Sequence, residues 1–75
     1  MSQKLRSCIQ QNKVVVHNRT SGEVTVYFPL PDGSPTAVHI PPSGNLELVP
    51  KYTTAAMIAK SNLEELARHG RVSFL

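Results

Sequence analysis

Seventy-five residues with a formal net charge of +3 suit one small domain, because so short a chain has too little apolar material for two cores. A hydrophobic content of 40% argues against wholesale disorder, and a single cysteine excludes an intrachain disulfide and a zinc site built from several cysteines. No apolar run reaches the roughly 18 residues of a membrane-spanning helix, and the opening "MSQKLRSCIQQ" never develops the apolar core of a secretory signal. The expectation is a soluble protein made in the cytoplasm, with no membrane partner.

Residues 1–12 carry Lys4 and Arg6 without an acid and precede the first strong strand signal, so they read as a flexible or partner-docking arm. Residues 13–75 read as a single β-rich domain. Its first strand nucleus is "KVVVHN", where three consecutive valines cannot all face one core in a regular strand. Ser21 and Gly22 then turn the chain. In "EVTVYF", Val24, Val26 and Phe28 share one face while Thr25 and Tyr27 share the other.

Pro29 and Pro31 disfavour a central strand at that point, and Asp32 and Gly33 supply a sharp reversal before "TAVHIP". Val38 and Ile40 form the next inward pair. After "PPSG", Leu46 and Leu48 point alike and Glu47 points oppositely. Three segments that bury alternate residues call for a small antiparallel sheet or a curled sandwich.

The composition then becomes helix-compatible, and the pattern predicts a helix over 54–69 whose inner stripe is Ile58, Ala59, Leu63, Leu66 and Ala67, continuous or broken near Ser61. Ser61 with Glu64 has the spacing of a capping box, Gly70 suits the C-terminus, and Glu64 and Arg68 pair across one turn. Val72 and Phe74 alternate with Arg71 and Ser73, leaving Leu75 last. This ending is an edge strand, added to the chain's own sheet or to a neighbour's. The fold class is therefore mainly β, with a short C-terminal helix and a terminal strand.

Residues capable of chemistry are scattered along the chain. His17, His39 and His69 have no spacing that makes one ligand set, and Cys8 with His17 would form an activated nucleophile only if the fold joined them. Asp32 belongs to a turn signature, Glu64 has a capping position, and "PDGSP" lacks the strand, spacing and lysine of a phosphate-binding loop. The reading is of a protein without catalytic residues, metal ligands or a cofactor.

Charge offers a second direction. Lys4, Arg6, Lys13 and Arg19 stand without an acid in residues 1–19, and Lys51, Lys60, Arg68 and Arg71 outnumber Glu64 and Glu65 after residue 50, while the segment between holds only acids. Arg19, Tyr27, Arg68 and Arg71 are the candidate nucleic-acid contacts, combining phosphate binding with a stacking surface. A lone convincing helix without a scanning partner makes nucleic-acid binding or regulation the alternative, not the first reading.

The stretches "VHNRTSGEVTVYFPLPDG", "VHIPPSGNLELVP" and "NLEELARHGRVSFL" resemble small accessory proteins encoded among the structural genes of tailed phages and prophages. The resemblance spans residues 14–75 and transfers no catalytic set. It implies a noncatalytic virion structural or accessory protein of a capsid, neck, tail or baseplate, reaching the virion after synthesis in the host cytoplasm. Its implied partners are other virion structural proteins and copies of itself. Lys4, Arg6, Lys13, Val72, Phe74 and Leu75 are the candidate partner contacts. A protein-interaction adaptor outside a virus is a further alternative.

Overall fold

The computed structural model describes residues 2–75. In chain order the elements are α1 (Gln3–Gln10), β1 (Val14–Asn18), β2 (Val24–Pro29), β3 (Pro35–Ile40), β4 (Asn45–Val49), α2 (Ala55–Ile58), α3 (Leu63–Arg68) and β5 (Val72–Phe74). The strands form two antiparallel sheets, a three-stranded one in the order β4-β1-β5 and the β2–β3 hairpin. The antiparallel body, C-terminal helix and terminal strand match the fold expected from alternation. The inner faces of both sheets feed one buried cluster that includes Val14, Val16, Val24, Val26, Phe28, Ile40, Leu48 and Phe74.

The arm expected over residues 1–12 is corrected to a core helix; Met1 lies outside the described residues. Ser2 caps α1 by accepting a hydrogen bond from Leu5 N at 3.2 Å, and Leu5 and Cys8, three apart, fall on one buried face. The helix ends where Asn12 takes a left-handed φ of 56°. Asn12 N then donates to Ile9 O and Lys13 N to Cys8 O, which satisfies two terminal carbonyls. A radius of gyration of 11.1 Å matches the roughly 11 Å of a 75-residue compact domain, leaving no room for an extended arm.

The run of valines is resolved by the sheet. Val14 and Val16 enter the core, while Val15 lies half-buried on the outer face. Opposite them, β4 carries a bulge between the pairs Val14↔Val49 and Val15↔Glu47. The extra residue lets the adjacent Leu48 and Val49 both be buried, which strict alternation forbids.

Between β2 and β3 the chain reverses through Leu30–Ser34, where Leu30 N donates to Ser34 O and Gly33, at φ 90°, donates to Leu30 O. The Asp32 carboxylate accepts from the Ser34 hydroxyl and from Ser34 N, and these bonds hold its pKa below the ordinary value. Their contribution to the turn is present above the ordinary carboxylate range and is lost as pH falls through the lowered pKa.

The helix expected over 54–69 takes its broken form, two short helices separated around Ser61. Thr54 caps α2, Ser61 N closes back onto Ile58 O, and α3 starts again with Asn62, not Ser61, at its N-cap. Gly70 does end α3: at φ 72° it donates to Ala67 O, and Arg71 N donates to Leu66 O. Strand β5 then pairs with β1 of its own chain through Val16↔Phe74 and Asn18↔Val72. Val72 and Phe74 are accordingly core residues, and only Leu75 of that trio is exposed.

One buried polar side chain ties the two sheets together. Asn18, at 0% exposure the last residue of β1, points its amide nitrogen at Gly22 O (2.8 Å), Ile40 O (2.9 Å) and Pro41 O (3.0 Å). Its oxygen accepts from Thr20 N and Thr20 Oγ1, both at 2.8 Å. One amide thereby links the β1–β2 turn to the exit of β3, where Pro41 O also accepts from Gly44 N at 2.9 Å.

Replacing Asn18 with Ala removes one hydrogen bond from each of these carbonyls and from Thr20, and the expected loss is about 1–3 kcal/mol in urea unfolding. A loss comparable to that of the exposed control Asn45→Ala would refute the linking role. Leu5→Ala is expected to cost about 2–4 kcal/mol as a core cavity. Unchanged stability would return residues 1–12 to the status of an arm.

Candidate functional site

The β2–β3 hairpin has two long edges, and the chain treats them differently. On the β2 side, Tyr27 N donates to Asn62 Oδ1 at 2.9 Å, Asn62 N donates to Tyr27 O at 3.2 Å, and Asn62 Nδ2 donates to Thr25 O at 3.2 Å. Asn62 thus acts as a single-residue strand that occupies the edge with its backbone and its amide. This is why it makes no side-chain cap for α3; Ser61 Oγ instead accepts from Leu63 N at 3.2 Å.

The same bonds determine what happens on the β3 side. Because Thr25 and Tyr27 direct their backbone groups away from β3, the registered pairs Thr25↔His39 and Tyr27↔Ala37 are the non-hydrogen-bonded ones. Ala37 and His39 therefore turn their N–H and C=O groups outward, away from the hairpin. Both residues are exposed, as are Pro35 and Pro41 at either end of the strand. An unpaired strand edge of this kind is a template for another strand.

Side chains frame this edge on its outer face. His39 Nδ1 lies 3.0 Å from Thr25 Oγ1 and 3.3 Å from Glu23 Oε1. Tyr27 is 59% exposed and, with Lys60, Pro29 and Pro35, borders a shallow apolar depression of about 260 Å³. A second groove, of about 500 Å³, is lined by Asn62, Glu65, Leu66, His69 and Arg71.

The candidate contacts read from the sequence are distributed around this arrangement. Lys4 and Arg6 are exposed on α1, and Lys13 is exposed just beyond it. Arg19 and Arg71 are brought together, since Arg19 N donates to Arg71 O at 2.9 Å, and Arg68 sits in the last turn of α3 nearby in the chain. Tyr27 is fastened to the opposite end of α3 through Asn62, about 9 Å of helix away for six residues. The stacking candidate Tyr27 is thus tied to the start of α3, while Arg68 lies in its last turn.

The remaining chemistry-bearing groups occupy separate environments. His17 Nδ1 contacts Asn45 Oδ1 at 2.6 Å, and His69 lies 3.9 Å from Glu65 on α3. Cys8 is buried, with Sγ 3.9 Å from Leu75 O. Among the described residues no three His, Cys, Asp or Glu side chains gather as metal ligands, and no helix is long and apolar enough to cross a membrane.

The sequence pattern weighs His39 only as a metal-ligand candidate and does not single out Ala37 or Asn62. The signal for the first two was present: Val38 and Ile40 point inward, so Ala37 and His39 alternate outward between two prolines. Asn62 carried no such signal, because its partner is 35 residues away.

Asn62→Ala is expected to cost about 1–2 kcal/mol and to accelerate hydrogen exchange at the Tyr27 amide. The Val26 amide, which faces β3, serves as the control. Equal acceleration at both positions would mean that Asn62 supports the hairpin as a whole and does not specifically close its β2 edge.

No protein-family model, no curated protein and no solved structure matches this chain.

Proposed function

We propose that this chain is a noncatalytic association module, a structural or accessory protein of a tailed-phage type of virion, acting through protein–protein contacts with other virion proteins and copies of itself. The observation that carries this reading is the hairpin edge at Ala37 and His39, exposed and unpaired while the opposite edge is occupied by Asn62. Strand addition needs no reactive side chain. It needs outward-facing backbone donors and acceptors on a rigid support, and the core residues Val24, Val26, Phe28 and Ile40 provide that support.

The juxtaposed Arg19 and Arg71 favour nucleic-acid contact as the second reading. Phosphate contacts of this type weaken steeply with salt, whereas strand pairing with apolar side-chain contacts does not. This difference separates the two.

The epitope-tagged chain, produced together with the products of the genes that neighbour its own, is expected to co-purify with assembled particles at fixed stoichiometry and high salt. The Ala37 and His39 amides are expected to gain protection from hydrogen exchange on assembly. Absence from particles, combined with sequence-selective DNA or RNA binding that salt suppresses, would reverse the ranking of the two readings.

A further inference from the structure

We propose that the open edge of β3 pairs with the same edge of a second copy of this chain. The two strands run antiparallel with Val38 on the twofold axis, so that two hairpins become one four-stranded sheet. This names the partner at the edge described above and rests on the association reading.

The prolines are spaced symmetrically about this register. Outward-facing positions along β3 and just beyond it are Pro35, Ala37, His39 and Pro41, placed symmetrically about Val38. With Val38 opposite Val38 of the second copy, Ala37 faces His39 of the second copy in a hydrogen-bonded pair, and the reverse pair follows by symmetry. Ala37 and His39 then have both backbone groups satisfied in each copy. The two prolines meet only at the ends of the ladder, where no donor is required. A slip of two residues in either direction places a proline nitrogen opposite the carbonyl of His39 or Ala37, which then has no donor. A slip of one residue turns the inward-facing groups toward the partner and pairs nothing.

The side chains are compatible with the same register on both faces. On the inner face, Val26 pairs with Val38, and the dimer extends this to a row of four valines across the joined sheet. Val38 is only half-buried in the single chain, and the row covers it. On the outer face, Tyr27 stands beside Ala37, and His39 of the second copy stands on the other side of that alanine. The small Ala37 side chain leaves the exposed Tyr27 ring and the partner imidazole free to meet above it.

A self-complementary edge of two hydrogen-bonded pairs explains why the second copy is the fitting occupant. An isologous interface requires that position i meet j and j meet i. The spacing Pro35-x-Ala37-Val38-His39-x-Pro41 meets this requirement, and an unrelated strand would gain nothing from its symmetry.

Sedimentation equilibrium of the full chain over micromolar to millimolar concentration is the test, with mixed labelled and unlabelled protein examined by isotope-filtered NMR. A reversible dimer is expected, with a contact between the Val38 Hα protons of the two copies. Ala37→Pro removes one donor per copy at a nitrogen that the hairpin does not use, and is expected to weaken the dimer at least about tenfold. Ala37→Lys, at an exposed position that leaves the monomer fold intact, is expected to weaken it similarly. A chain that stays monomeric throughout, or a dimer that neither variant weakens, would overturn the inference. The association reading would survive that result if particles still incorporate the chain and protect Ala37 and His39.

Discussion

The buried amide of Asn18 is the constraint on which the rest of the architecture depends. A small domain has little apolar area with which to hold two sheets together, and the carbonyls of Ile40 and Pro41 lie where the chain leaves one sheet for the other. Pro41 O also accepts from Gly44 N, so the amide adds a link between the two sheets to a bond already made within the turn. Asn18 donates to both carbonyls from the end of β1 while its oxygen holds Thr20 in the turn that follows. The β2–β3 hairpin therefore has a fixed position relative to β4-β1-β5, and Asn62 reaches β2 only from that position.

Edge management follows from this placement. The β2 edge receives Asn62, which uses the amide that would otherwise cap α3. The β3 edge is bounded by Pro35 and Pro41, so the exposed ladder is too short for indiscriminate growth yet long enough for specific pairing. The β5 strand lies against β1, and the cluster formed by its Val72 and Phe74 also contains Leu5 and Cys8 of α1. The hairpin is therefore asymmetric, with its β2 edge occupied by Asn62 and its β3 edge open.

The N-terminal helix shows how one criterion can hide another. Net basic charge drew attention to Lys4 and Arg6, and the segment read as an arm because it lacked acids. The helix signals were nevertheless in the same residues: Ser2 as a cap, Leu5, Cys8 and Ile9 at helical spacing, and Asn12 as a left-handed terminator. Eight helical residues are marginal in isolation, and α1 holds because Leu5 and Cys8 are buried in a core assembled from distant strands. The division of 54–69 into α2 and α3 has the same origin. Helix propensity continues through Ser61, but the pull of β2 on Asn62 breaks the chain there.

The sequence by itself determined the alternating strands, the inward positions of Val24, Val26, Phe28, Ile40 and Leu48, the turn at Asp32–Gly33 and the termination of α3 at Gly70. Each of these depends on side chains a few residues apart, whose spacing is visible in one dimension. Tertiary structure alone decided that β5 pairs within its own chain, that a bulge buries both Leu48 and Val49, and that Asn18 and Asn62 spend their amides on carbonyls and edges far along the sequence. It also decided which edge of the hairpin stays open. An asparagine is equally suited to a turn, a cap or a buried link, and only the position of its distant partner selects among them.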